Sequence, residues 1–192
     1  MVLTIQNETL RSVIGARPFV ALPQEEIDRL HGSIEVDVTK QSEAIANPSL
    51  LQLVAITVMH YNYSWFSSSG LLSGMMSEDN AASLGLMNYI QPDGYNDIFL
   101  DESLKAAAAS IVNNSVETEA GYNIRLAGML YDNSPQFEKY FGLVFIARLR
   151  QPGVTPKGQD AGIHFYGSGE LQQNRDWFNS WSRILIDHLV AL

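Results

Sequence analysis

Residues 114–122 read Asn114-Ser-Val-Glu-Thr-Glu-Ala-Gly-Tyr122, and this stretch decides the fold of the chain. It closes a segment from Asp101 to Glu119 that we predict to be a helix, because Ala106 to Ala109 favour helix strongly. Gly121 follows directly, at a position where helices commonly end in a left-handed glycine. The sequence therefore predicts a helix up to Glu119 and a strand soon after Gly121.

Short apolar segments on both sides of this helix predict a sheet. The clearest is 49–66, where apolar and β-branched residues fill both faces, as in a strand buried within a sheet. Asn174 to Leu192 predicts a final amphipathic helix with Trp177 and Trp181 on one apolar stripe, in the core or at a dimer interface. This order of elements predicts an α/β domain whose mixed sheet lies between helices. Further strands are predicted over 84–90, 124–130, 142–149 and 163–166, and residues 18–22 form a short apolar run that ends at Pro23.

The composition is that of one globular domain. The 192 residues are 46% hydrophobic and 17% charged, so we expect a single domain over 1–192, with 1–17 as an N-terminal extension. A net charge of −9 argues against a duplex nucleic-acid partner, which needs clustered Lys and Arg. No apolar run is long enough to span a membrane and the first residues do not resemble a signal peptide, so a cytoplasmic protein is expected.

The stretch 114–122 resembles the end of the Nudix box, whose family pattern is G-x5-E-x7-R-E-U-x-E-E-x-G-U, where U is a bulky apolar residue. Residues 86–94 resemble the glycine-rich strand and turn before the box, and 128–134 with 141–146 resemble the two strands after it. Residues 179–189 are similar to the closing helix of a Nudix subgroup from phages and bacteria. The resemblance implies a Nudix-like α/β/α sandwich with a mixed sheet between helices.

In the Nudix family, glutamates on one face of the box helix hold divalent ions, which bridge a diphosphate and activate water. Val116, Gly121 and Tyr122 match structural positions of the pattern, and Glu119 is the single matched metal ligand. Glu117 would lie about 200° around a helix from Glu119, so it could not join the same cluster. One carboxylate binds Mg²⁺ weakly, so Glu119 is a weak candidate metal ligand.

The chain departs from the box at the other chemical positions. Asn114, Ser115, Thr118 and Ala106 stand where the family carries arginine and glutamates, and Leu100 stands where it carries the first glycine. No catalytic residue is therefore identified as retained. No cofactor is expected for an inactive protein, and Mg²⁺ is expected only if the protein is active.

Three functions remain open from the sequence. The first is an inactive Nudix-fold protein that binds a nucleotide-like ligand or a protein partner through the former active-site cleft. The second is a Mg²⁺-dependent hydrolase of nucleoside diphosphate derivatives, which would need other carboxylates, such as Asp97, Glu102 or Asp132, near Glu119. The third is a structural or interaction protein of phage origin. A homodimer is possible through the Trp-rich last helix.

Two groups of residues outside the box have alternative interpretations. Asp93, Asp97, Asp101 and Glu102 form an acidic stretch that could supply replacement metal ligands, although a solvated loop with a helix cap is the more common arrangement. His60 precedes an aromatic run that ends at Phe66. These rings could stack on a base, although packing between a strand and a helix is the more frequent explanation.

Overall fold

The structure is a computed structural model that describes residues 1–23, 25–26, 28, 34–68, 81–90, 101–135, 137–152, 154–157 and 162–190, with the backbone alone over 101–104. A turn of 3-10 helix, Arg175–Trp177, precedes the last α-helix, which continues as a π-helical turn, Ile186–Val190. The elements are β1 Val2–Gln6, α1 Asn7–Ile14, β2 Phe19–Ala21, β3 Asp37–Thr39, α2 Gln41–Ala46, β4 Leu50–Tyr61, β5 Ser64–Ser68, β6 Ser83–Leu84, β7 Leu86–Tyr89, α3 Asp101–Ser115, β8 Val116–Glu117, β9 Tyr122–Leu130, β10 Tyr140–Leu149, β11 Thr155–Pro156, β12 Ile163–Gly167, α4 Ser168–Gln173 and α5 Ser180–Leu185.

The long strand β4 organises a mixed sheet of ten strands within the described residues. Along one edge β4 runs parallel to β10 over its whole length, and β9 and then β2 follow in antiparallel pairs. Along its other edge β4 pairs in turn with β1, β7 and β5, all antiparallel, and β12 lies beyond β5. The parallel pair is buried on both faces, which explains why most residues of β4 are apolar on both faces of the strand.

Helices cover both faces of this sheet, so the predicted α/β/α arrangement is confirmed. On one face α1 and α3 pack against β4 and β10, with Leu10 and Val112 buried among Leu53 and Phe145. On the other face α5 and the π-helical turn cover the sheet, with Trp181 packed among the alternate residues of the same strands. The two cores share β4 and β10, whose successive side chains point to opposite faces.

The predicted strand over 49–66 is two strands joined by a tight turn. Asn62 has a φ of 53°, and the chain reverses at Asn62 and Tyr63 so that β5 pairs back onto the end of β4. Asparagine adopts this left-handed conformation more readily than other non-glycine residues, which suits it to the turn. The expectation that the segment is buried on both faces holds for β4.

The helix predicted to end at Glu119 ends at Ser115 instead. Lys157 donates a backbone hydrogen bond to the Ser115 carbonyl (3.0 Å), and its Nζ donates to the Asn113 carbonyl (2.5 Å). The next two residues form β8, which pairs with β11, so Glu117 is in a strand and not on the helix. These bonds satisfy carbonyls that a longer helix would have used, and they turn the chain away from the helical path.

The last predicted helix, Asn174 to Leu192, is also interrupted. A break at Phe178 and Asn179 separates the 3-10 turn from α5, and the Asn179 side chain caps α5 by accepting a hydrogen bond from the Ser182 amide. Trp181 is completely buried, whereas Trp177 is 63% exposed. The prediction that both tryptophans share one apolar stripe is therefore wrong, because the break rotates Trp177 out of register.

Residues 2–14, within the segment expected to be an N-terminal extension, form β1 and α1 and bury apolar side chains in the core. Residues 91–94, the turn of the segment that resembles the glycine-rich strand and turn before the box, lie outside the described residues. Among the described residues, no helix has the length and apolar character needed to cross a membrane.

Candidate functional site

A cleft of about 320 Å³ lies between β7 and α3, and we call it the α3 cleft. On its other side α3 buries Ala108 and Val112 in the core, and Ala106, Ser110 and Asn114, four residues apart, share the face that borders the cleft. The segments 86–90 and 101–115 thus meet in space, as the Nudix resemblance requires. The lining residues are Asn88, Tyr89, Ala106, Ala107, Ser110, Ile111 and Asn114.

The described lining of the α3 cleft carries no charged side chain. Ala106 and Asn114 stand where the Nudix pattern carries a glutamate and the arginine, and both line the cleft. Between them Ser110 accepts a hydrogen bond from Asn114 Nδ2 (3.3 Å). Methyl, hydroxyl and amide groups of this kind are poor ligands for Mg²⁺, which prefers carboxylates and its own waters.

A pair of tyrosines lies across the sheet from α3. Tyr89 is opposite Val54, so its ring packs against the core on the other face, and its hydroxyl accepts a hydrogen bond from Gln41 Nε2 (3.0 Å). The Tyr89 and Tyr140 rings are 6.4 Å apart. Burial, followed by the hydrogen bond to Tyr89, raises the pKa of Tyr140 to about 12, so this phenol stays protonated at neutral pH. The two rings therefore belong to the face of the sheet opposite α3.

Glu119, the predicted metal ligand, does not reach the α3 cleft. It is exposed in a bend beyond β8, four residues past the end of α3. Gly121 has the positive φ expected of it (70°), but it ends this bend and not the helix. Within the described part of the chain, no ion pair joins Glu119 to Arg125, and no group of three His, Cys, Asp or Glu side chains could hold a metal ion.

Of the other predicted carboxylates, Asp132 is the one whose side chain the structure describes, and it does not lie near Glu119. Asp132 lies after the far end of β9, whose nine residues span about 30 Å at roughly 3.3 Å each. Its carboxylate accepts hydrogen bonds from Ser134 Oγ (2.7 Å) and Ser180 Oγ (2.8 Å). The prediction that Asp132 could act with Glu119 as a metal ligand is therefore wrong. Asp93 and Asp97 lie outside the described residues, as do the side chains of Asp101 and Glu102.

Comparison with solved structures identifies the fold. The chain is similar to the crystal structure of Tm1382, "a putative Nudix hydrolase", with a TM-score of 0.76 over 99% of this chain and 98% of that one. This chain has the Nudix fold. The two sequences are 16% identical, so the Nudix likeness is one of architecture. No family model matches the sequence, and no curated protein sequence matches it.

The structure shows where the Nudix resemblance located residues correctly and where it did not. The resemblance correctly identified the strand–helix–strand unit around the box. It placed Glu119 on the helix because it assumed the family's spacing up to Gly121, whereas the helix ends at Ser115, β8 follows, and Glu119 lies in the bend after β8. Ser110 was missed, although it lies four residues from both Ala106 and Asn114 and so had to share their face.

Proposed function

We propose that this protein is a Nudix-fold binding protein that does not hydrolyse diphosphates. The observation that supports the proposal is that the described lining of the α3 cleft is uncharged, and that Ala106, Ser110 and Asn114 follow one another in it at four-residue spacing. The Nudix reaction needs several carboxylates on that helix face to hold its metal ions. A cleft of alanine, serine and asparagine keeps the shape of the site without the groups that perform the chemistry.

The chemistry of the α3 cleft also suggests what it binds. Its polar side chains are the amides of Asn88 and Asn114 and the hydroxyl of Ser110, and Ala106, Ala107 and Ile111 add apolar surface. Its volume of about 320 Å³ is at the lower end of small-molecule sites, which run from about 300 to 1,000 Å³. A neutral, planar group with hydrogen-bond donors and acceptors fits these features, and the base of a nucleoside is such a group.

The competing function is a Mg²⁺-dependent hydrolase with unusual ligands. The acidic residues Asp93, Asp97, Asp101 and Glu102 in the sequence just before and at the start of α3 are the reason to keep it as an alternative. It makes the opposite prediction for catalysis: turnover should occur in Mg²⁺ or Mn²⁺ and should depend on one or more of these carboxylates.

The experiment combines a turnover assay with a binding assay. Purified protein is incubated with a panel of nucleoside diphosphate derivatives in Mg²⁺ and in Mn²⁺, and adenosine and guanosine are titrated calorimetrically. We expect no turnover by the wild type or by Glu119→Gln, and nucleoside binding that Asn114→Ala weakens at least tenfold. Gln173→Ala is the control, because it removes an exposed amide from α4, away from the cleft. Turnover that Glu119→Gln or Glu102→Gln abolishes would show that the protein is a hydrolase.

A further inference from the structure

A second pocket, of about 500 Å³, lies on the sheet face opposite α3. We call it the arginine pocket. It is formed where β4, β5, β9 and β10 come together at one end of the sheet, beside the π-helical turn. The residues that matter to its chemistry are His60, Trp65, Arg125, Ile146, Arg148 and Leu189.

Strand register aligns the polar residues of the arginine pocket in one row. Trp65 on β5 is opposite His60 on β4, and His60 is opposite Arg148 on β10. Arg148 is in turn opposite Asn123 on β9. Residues directly opposite one another share a face of a sheet, so all four side chains leave on the same side.

A β-bulge at Ala127 brings the second arginine into the pocket. The pairing of β9 with β10 shifts by one residue between Val144 and Phe145, after which Arg125 is opposite Ile146. Without the shift Arg125 would be opposite Ala147, whose side chain faces the α3 side of the sheet. Because side chains alternate along a strand, one extra residue moves every following side chain to the other face. Arg125 and Arg148 thereby become diagonal neighbours, with about 7–8 Å between their Cα atoms.

The arginine pocket is positively charged in a protein of net charge −9. None of its lining residues is acidic. Within the described chain no ion pair involves Arg125 or Arg148, whereas Arg175 is paired with Asp187. Two guanidinium groups that are exposed, close together and without carboxylate partners are the groups that recognise a phosphate.

Aromatic and apolar side chains form the other part of the pocket. The His60 and Trp65 rings are stacked, with centroids 5.0 Å apart and planes inclined by 26°. Trp65 is held in place by a hydrogen bond from its Nε1 to Ser168 Oγ (3.1 Å), and His60 Nδ1 lies 3.2 Å from the Asn62 carbonyl. Ile146 and Leu189 add apolar surface. A flat aromatic ring can pack against these groups while an attached phosphate contacts the arginines.

We propose that the arginine pocket binds an aromatic monophosphate of the nucleoside 5′-monophosphate type. Arg125 and Arg148 hold the phosphate, and His60 and Trp65 with the apolar residues hold the base. The site lies across the sheet from the α3 cleft and shares no lining residue with it. It would operate whether or not the α3 cleft binds a ligand, because none of its groups depends on that cleft.

The test uses adenosine 5′-monophosphate, adenosine and inorganic phosphate as separate titrants, measured by calorimetry and by tryptophan fluorescence. We expect the monophosphate to bind at least tenfold more tightly than either fragment and more weakly as salt is raised. Arg148→Gln and Arg125→Gln should each weaken its binding at least tenfold, and His60→Ala should weaken both the monophosphate and adenosine. Arg150→Gln, an exposed arginine just after β10 that does not line the pocket, should have no effect.

Two results would overturn the proposal. One is a monophosphate that, in Asn114→Ala protein with its weakened α3 cleft, binds no better than adenosine or inorganic phosphate. The other is tight binding that Arg125→Gln and Arg148→Gln, each shown to be folded by circular dichroism, leave unchanged. Asn114→Ala should weaken nucleoside binding in the α3 cleft and leave monophosphate binding in the arginine pocket unchanged. The proposal for one site can therefore fail without the other.

Discussion

Replacing Gln52 with methionine should stabilise the protein. Gln52 lies near the start of β4, is completely buried, and has no hydrogen-bond partner for either Nε2 or Oε1 among the described residues. A buried polar group without a partner costs about 1–3 kcal/mol, and methionine keeps the unbranched shape and nearly the same volume. We therefore expect Gln52→Met to raise the free energy of unfolding by about 1–3 kcal/mol, or about 2–4 °C in Tm per kcal/mol.

Urea denaturation followed by circular dichroism measures this change as a shift in the midpoint at constant slope. Gln151→Met is the control, because Gln151 is exposed in the loop after β10 and its replacement should change stability by less than about 0.5 kcal/mol. If Gln52→Met destabilises the protein by about 1 kcal/mol or more, the amide must be satisfied, by a buried water for example, and the reasoning is refuted.

Two further predictions concern packing and ionisation on the same sheet. A Cβ at Gly142 would lie 2.7 Å from Ile56 Cδ1 and 3.1 Å from Trp181 Cζ3. Gly142→Ala should therefore lower the free energy of unfolding by about 1–3 kcal/mol, as measured by urea titration. An unchanged midpoint would contradict this packing. The pKa of Tyr140 is raised from 10.0 to about 12 in the folded protein, so its contribution to stability is present below pH 10 and is lost as pH rises towards 12. Tyr140→Phe should remove a phenol that ionises near pH 12, as followed by ultraviolet absorbance, and should flatten the fall in stability over that range. Tyr63→Phe, at the exposed hairpin tip, should leave both features in place.

The parts of the fold that follow from local patterns could be predicted from the sequence. The apolar runs at 124–130 and 142–149 correspond to β9 and β10, and the buried character of 49–66 holds for β4. The mixed sheet between helices follows from the order of these segments. Each of these features depends on which residues are apolar, and the sequence shows that directly.

The features that depend on distant contacts could not be predicted. The end of α3 at Ser115 depends on hydrogen bonds from Lys157, more than forty residues away in the chain. The bulge at Ala127 depends on how β9 pairs with β10, and nothing in the local pattern around 122–130 indicates it. Both features shape the candidate sites, because the first removes Glu119 from the helix and the second brings Arg125 beside Arg148.

The most direct test of the central claim is a Mn²⁺ titration followed by electron paramagnetic resonance, because Mn²⁺ substitutes for Mg²⁺ at oxygen ligands and its free signal reports binding. If the α3 cleft has lost the metal-binding groups of the Nudix reaction, the protein should show no site with a Kd below about 1 mM, and Glu119→Gln should not change the titration. One or more sites of micromolar affinity that Glu119→Gln or Glu102→Gln abolishes would contradict the claim and would identify the protein as a metal-dependent Nudix enzyme.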